Sequence, residues 1–256
     1  KEKYQYYNRP DTNRRIKDGW YNSYHKNGEY KEIGTFKDNE RDGKWSFFTD
    51  YGIETKGIYK EGKKWSGEFV LCYESGKVRY EENYVNGKRE GKSVFYNKSG
   101  QVRYKENYVD GKREGKEVLY YESGKVREEV NYVNGKKEGR KVSYDESGYV
   151  DNEITYVDGR ISKYVSYFES GQVSIEVNYV DGKKEGKEVG YYESGKVRDK
   201  VNYVNRKQEG KYVGYYESGK VLKEGNYVNG KQQGKWFSYD EEGHITDEDI
   251  WKDGEC

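Results

Sequence analysis

The chain has 256 residues and carries 48 Lys plus Arg against 47 Asp plus Glu, a net charge of +1, with 37% charged and 17% aromatic side chains. Two signs so closely balanced and interleaved exclude the basic footprint of a nucleic-acid binder, and no apolar run approaches the roughly 18 residues of a membrane-crossing helix. Alanine is absent and leucine occurs only as Leu71, Leu119 and Leu222, whereas 31 Tyr and plentiful Val favour a pleated surface, so the composition indicates a folded all-β chain with a thin core rather than helices or disorder.

Residues 1–18 fall outside the pattern that follows and hold the one proline, Pro10; they are expected to form an N-terminal segment covering the first edge. The chain starts at Lys1 and contains no Met, so a longer translation product is expected, with a leader, tag or N-terminal stretch removed. Residues 19–256 read as ten tandem units of about 24 residues. The leading glycine recurs at Gly19, Gly43, Gly67, Gly91, Gly115 and Gly139, then, after a one-residue deletion that leaves Ser162 in its place, at Gly186, Gly210 and Gly234. A second glycine sits nine residues into every unit, from Gly28 to Gly243, and a third follows Asn or Asp, as in Asn134-Gly135 and Asp158-Gly159. One unit breaks that last step with Asn205-Arg206.

Asn-Gly and Asp-Gly are strong hairpin signals because both residues must adopt positive φ. Each unit therefore predicts two strands and two turns. In the unit led by Gly115 the strands are expected at about residues 116–122 and 126–133, around Ser123-Gly124. Twenty antiparallel strands about 4.8 Å apart make an elongated single-layer sheet of stacked hairpins, on the order of 95 Å along its stacking direction. Side chains alternate along a strand, so Val118 and Tyr120, with Val126, Val130 and Tyr132, are expected to form an inward ladder repeated in every unit. The acidic last strand, with Asp247, Glu248 and Asp249, is expected to discourage edge-to-edge pairing.

The recurring Gly-x-x-x-x-Tyr-Tyr-Glu-Ser-Gly-Lys-Val, followed by Asn-Tyr-Val-Asn-Gly-Lys-x-Glu-Gly, resembles the bacterial variant of the MORN repeat, found in YwqK-like proteins labelled antitoxins, over about residues 19–256. The resemblance implies stacked β-hairpins, a scaffold that binds proteins or membrane lipids, and, through the antitoxin name, a toxin partner. It brings no family-wide catalytic residues.

The residues themselves offer little chemistry. His25 and His244 lie about 219 positions apart in a chain where each unit meets mainly its neighbours, which argues against a His-based catalytic pair. Cys72 takes a ladder position that is aromatic elsewhere and reads as a small core residue, Cys256 reads as exposed, and neither a disulfide nor a metal site is expected from two distant Cys and two distant His. The Gly87–Gly91 and Gly135–Gly139 turns lack the strand, loop and helix setting of a phosphate loop. No enzyme and no cofactor are expected.

Function is expected on the opposite face. Tyr21, Trp45, Phe69, Tyr164, Tyr212 and Trp236, together with Phe47, Tyr73, Phe95, Tyr121, Phe168, Tyr192 and Tyr216, are expected to project outward beside Arg79, Arg103, Arg127, Arg198 and Glu129. Aromatics beside Arg are enriched in binding surfaces. The reading is a non-enzymatic repeat scaffold that recognises another macromolecule, a protein first and lipid headgroups second, placed at the cell surface or secreted. The alternative is a cytoplasmic antitoxin that neutralises a toxin by binding it.

Overall fold

The computed structural model describes residues 2–8, 15–49 and 52–255, so Pro10 and Cys256 lie outside the described residues. Among those residues there is no helix, and 24 strands form one open antiparallel sheet. The surplus over twenty is the strand Glu2–Asn8, paired with Arg15–Tyr24, and three two-residue pieces, Lys88–Arg89, Lys112–Arg113 and Lys207–Gln208. The unit led by Gly115 has its strands at Gly115–Tyr120 and Val126–Val133. The chain divides into two compact units, Lys1–Val126 with Tyr132–Gly135, and Arg127–Asn131 with Lys136–Cys256.

Both turns follow from local chemistry. At Asn134-Gly135 the φ values of 51° and 81° make the two-residue turn whose twist matches its flanking strands. Arg206 holds φ 69° and Asn39 φ 73° at the position that is Gly in the other repeats, a conformation that costs a side-chain-bearing residue about 1–2 kcal/mol and suits Asn better than Arg. At the other end of each hairpin a type I turn is closed by a glycine bulge: the Gly76 N–H donates to the Tyr73 carbonyl at 2.9 Å and the Tyr73 N–H to the Lys77 carbonyl at 2.8 Å.

The Gly-Lys-x-Glu-Gly motif joins neighbouring hairpins. The Gly111 N–H donates to the Arg89 carbonyl of the preceding unit at 2.9 Å, Glu90 accepts from the Asp110 N–H at 2.8 Å, and Lys88 lies over Gly111 while pairing with Asp110 at 2.5 Å. The pattern recurs with Glu138 and Asp158, Glu185 and Asn205, and Glu209 and Asn229. Those amides are therefore bonded within the protein, and the motif serves stacking.

The strand alternation departs from the expected one. Ser143 pairs with Asn152 and Tyr144 with Val150, leaving Asp151 as an extra residue. The same bulge falls on Arg79, Arg103, Ser174, Arg198, Leu222 and Thr246. Because a bulge shifts the side-chain phase by one residue, the second strand's valine and tyrosine join the first strand's third and fifth positions, counted from the leading glycine. Tyr164 thus pairs with Val177, and Glu188 with Val201. Tyr21, Trp45, Phe47, Phe69 and Trp236, expected outside, are buried, as are Val130, Val177, Val201, Tyr59 and Tyr132. The opposite face, with Val118 and Tyr120, is half-buried, though Val94, Val142 and Val165 on it are covered.

Rings fill this core where the facing position is glycine. A Cβ on Gly34 would run into the Trp45 indole, one on Gly57 into Phe69, and one on Gly225 into Trp236. In the first unit Tyr4, Tyr21, Phe36, Trp45, Tyr59, Phe69 and Tyr84 form a chain of ring contacts with neighbouring centroids 4.6–5.7 Å apart, each pair contributing about 0.5–1.5 kcal/mol beyond area burial. Further along the same unit, carboxylates replace glycine. Glu82 is held by Lys64 at 2.8 Å and Arg89 at 2.7 Å, and Glu106, its side chain 2% exposed, by Arg113 at 2.8 Å and the Tyr108 hydroxyl at 3.0 Å.

Candidate binding surface

The turn after the first strand places the seventh residue of several repeats against the next hairpin. Tyr73 donates its hydroxyl to the Tyr96 carbonyl at 2.7 Å, Tyr192 to Tyr215 at 2.6 Å and Tyr216 to Tyr239 at 2.7 Å. His25 occupies the equivalent place and its Nε2 lies 2.8 Å from the Phe48 carbonyl, which gives the buried imidazole a partner in the next hairpin. Asp145 and Asp240 instead accept the amides of their own turns. Of the expected binding tyrosines, then, Tyr73, Tyr192 and Tyr216 are half-buried ties between hairpins. Tyr121 and Phe168 are also half-buried.

Trp236 is 2% exposed and stacks on Tyr212 at 5.5 Å. Tyr164 and Tyr212 lie on the same bulge-shifted face, half-buried. These three do not project outward, because the bulge turns their face into the core. Glu129, expected beside them, is half-buried and accepts from the Tyr144 hydroxyl at 3.2 Å on the other face.

The arginines are the part of the expected set that reaches solvent. Arg79, Arg103, Arg127 and Arg198 are all exposed, and the register makes Arg79, Arg103 and Arg198 the unpaired residues of their bulges. Such a residue is freed from the ladder and re-aimed. In the first unit two of them stand near half-exposed rings. Tyr80 and Phe95 have centroids 5.5 Å apart, and Phe95 stacks on Tyr104 at 4.1 Å with 12° between planes. The Arg79 guanidinium lies 5.8 Å from the Tyr73 ring centroid. A cleft of about 460 Å³ between consecutive turns is lined by Tyr73, Asn97, Lys98, Ser99, Gln101, Arg103 and Glu122. Tyr80 and Tyr104 escaped the sequence reading; their signal was the aromatic directly after the bulge arginine in Val78-Arg79-Tyr80 and Val102-Arg103-Tyr104.

Burial, with the charge of Glu106 nearby, pushes the Tyr104 hydroxyl up to about 12, so it stays a neutral donor at physiological pH. In the second unit Arg198 pairs with Asp199 at 2.7 Å over Gly190, where a Cβ would meet both side chains, and that hydrogen bond raises the Arg198 pKa further. Among the described residues no three His, Cys, Asp or Glu side chains converge as metal ligands, and Cys72 is buried and free of disulfide.

A family model described as the MORN repeat variant matches residues 66–86, 89–110, 113–134, 162–181, 184–205 and 208–229, just over half of the chain. The chain belongs to the MORN repeat variant family. The same hairpin extends past the matched MORN segments: Arg15–Tyr24 pairs with Tyr30–Lys37, Lys136–Tyr144 with Val150–Val157, and Lys231–Tyr239 with Ile245–Trp251. No curated protein matches the chain. Similar solved structures include the crystal structure of TcdB2-TccC3-Cdc42, at 11% identity and TM-score 0.19 over 93% of this chain. They also include the Photorhabdus luminescens Tc holotoxin pore, at 11% identity and TM-score 0.18 over 95% of this chain. This MORN-repeat chain spans 16% of the length of each of those two chains. A porin-like protein from Bacteroides uniformis is similar at 11% identity and TM-score 0.16, over 89% of this chain and 91% of its own.

Proposed function

We propose that this MORN-repeat protein is a non-enzymatic scaffold that captures a protein partner at the Glu-Ser-Gly turn end of its first unit. The observation that carries the reading is the conjunction of exposed Arg79 and Arg103 with the half-exposed Tyr80, Phe95 and Tyr104 stack and the neighbouring cleft. Tyr and Arg combine large contact area with directional donors, the composition of interface hot spots. An acidic segment carrying an aromatic side chain fits it: carboxylates meet the two guanidiniums while the ring covers Phe95 or Tyr104. The fixed hairpin stack presents these groups without an ordering cost at binding.

A photo-crosslinking residue at position 103, in the organism that makes the protein, tests this. A discrete crosslinked partner, lost when Arg79→Glu and Tyr104→Ser are added while the β-sheet circular dichroism is unchanged, supports the surface. Equal crosslinking in the doubly substituted protein overturns it. A captured protein whose expression arrests growth until this chain is co-expressed would give the scaffold an antitoxin role. Salt-weakened cosedimentation with anionic vesicles, without a protein partner, would replace the protein by lipid. Protease treatment of intact cells decides whether the scaffold works at the surface.

A further inference from the structure

Two kinds of bond stack the turns that close the second strands. On either side of Asp181-Gly182, the Gly159 N–H donates to the Lys137 carbonyl at 3.0 Å and the Arg206 N–H to the Lys184 carbonyl at 3.2 Å. Glu138 accepts from the Asp158 N–H at 2.9 Å and Glu185 from the Asn205 N–H at 2.8 Å. Among the described residues the Asp181-Gly182 turn is the one with neither bond. Where other joints have Glu-Gly, as at Glu185-Gly186, the strand Arg160–Tyr167 has Ser162 alone, a single residue between the pairs Tyr156–Ile161 and Thr155–Lys163. Ser162 gives its hydroxyl to the Thr155 carbonyl at 3.2 Å and is no substitute for the missing carboxylate. The stacking opens there. A Cβ on Gly159 would touch the Lys136 side chain at 3.4 Å, whereas one on Gly182 would meet nothing within 4 Å. A cleft of about 500 Å³ lies among Val157, Arg160, Ile161, Ser162 and Asp181.

We propose that this cleft is a carboxylate-binding site, filled by a glutamate side chain of another polypeptide. The Asp181 and Gly182 N–H groups are two donors left to solvent, and an amide bonds an ionised acceptor more strongly than a neutral one. The precedent is in the same chain. At Asp110 the amide donates to Glu90 at 2.8 Å although the residue's own carboxylate is close by, because Lys88 pairs with that carboxylate at 2.5 Å. Arg160 pairs with Asp181 in the same way at 2.5 Å, so an incoming anion meets donors rather than an uncompensated charge. Glu90, Glu138, Glu185 and Glu209 all reach their amides from a polypeptide backbone, and the exposed Val157 and Val180, at 55% and 58%, offer a second polypeptide its remaining contacts. The site lies in the second unit and does not depend on the Arg79 and Arg103 surface.

Amide NMR of the full chain tests this, with the tripeptide Val-Glu-Val, blocked at both ends, as probe and Val-Gln-Val as control. The Val-Glu-Val peptide is expected to move the Asp181 and Gly182 amide protons downfield and saturably, binding about tenfold more tightly than Val-Gln-Val. Arg160→Gln, at a side chain 66% exposed, should weaken that binding severalfold while leaving the fold intact. A Glu inserted between Ile161 and Ser162 should bond the Asp181 amide from within the chain, slow its exchange about tenfold and abolish the response to peptide. The proposal is overturned if Val-Glu-Val leaves both amides unmoved, if Val-Gln-Val binds as tightly, or if the folded insertion variant responds as the parent does. It is equally overturned if the two amides exchange as slowly as those of Asp158 and Gly159 before any peptide is added. Glutarate that binds as tightly as the peptide would overturn the polypeptide as ligand.

Discussion

Two stretches of the first unit solve one packing problem with opposite chemistries. Between Tyr21 and Tyr84 the space above each hairpin is filled by rings, with Gly34 and Gly57 reduced to bare backbone so that Trp45 and Phe69 can lie on them. Between Glu82 and Tyr132 the glycine gives way to Glu, and the ring at the third position to Ser93 and then Glu117, with Arg89 and Arg113 threaded between. The tyrosine that closes each second strand persists through both, and the guanidiniums lie 5.1 and 5.2 Å from the Tyr108 and Tyr132 ring centroids. What the repeat conserves in space is a filled volume under a tyrosine. Whether that volume is apolar or ionic is free to vary, because each hairpin mainly has to match its neighbours.

The largest expected effect is in the ring stretch. Trp45→Ala should cost about 3–5 kcal/mol in urea unfolding, since the 1% exposed indole leaves a cavity over Gly34. A loss under 1 kcal/mol would mean the stretch collapses freely and the contrast with the ionic stretch is unfounded. Glu106→Ala should cost about 2–3 kcal/mol, below the usual loss for a broken buried pair because the Arg89 and Arg113 side chains are 34% and 41% exposed. Its loss should shrink as salt screens the two stranded guanidiniums, while that of Trp45→Ala should not. Gly34→Ala should cost about 1–3 kcal/mol by overpacking the indole. In the Trp45→Ala background much of that cost should vanish, a coupling that a double-mutant cycle reads directly.

The smallest effect is on pH dependence. Burial raises the Tyr104 pKa from 10.0 in the unfolded chain to about 12 in the folded one, so its contribution is complete below pH 10 and is lost as pH climbs from 10 to about 12. Tyr104→Phe should therefore flatten part of the alkaline loss in that window without changing stability slopes near neutrality. An unaltered alkaline limb would show that Tyr104 ionises as freely folded as unfolded.

The glycines and Asn-Gly steps were readable because positive φ is a property of a residue and its immediate neighbours. The second strand of the Gly115 unit begins and ends where the turns predict, at Val126 and Val133. The face assignment was not readable by alternation alone. Counting by twos links Val130 to Tyr132 correctly, yet in the equivalent strands the bulge follows the first valine, so that Val150 pairs with Tyr144 and Val197 with Tyr191 while the later valine and tyrosine join the face of the first strand's third and fifth positions. Trp236 and Phe69 consequently moved from a supposed docking surface into the core. Arg79 and Arg103 were expected to project outward and are exposed, but their place at the bulges, and the ring stack of Tyr80, Phe95 and Tyr104, required the register.

By itself the sequence determined the period, the two turns of each hairpin and the all-β class, all of which rest on short-range backbone preference and repetition. The tertiary structure alone decided which face is buried, which tyrosine hydroxyls tie one hairpin to the next, and where glycine yields to glutamate beneath the rings. Those choices depend on hydrogen-bond register and on side chains from a neighbouring unit some 20 residues away, and a one-residue bulge is enough to invert them.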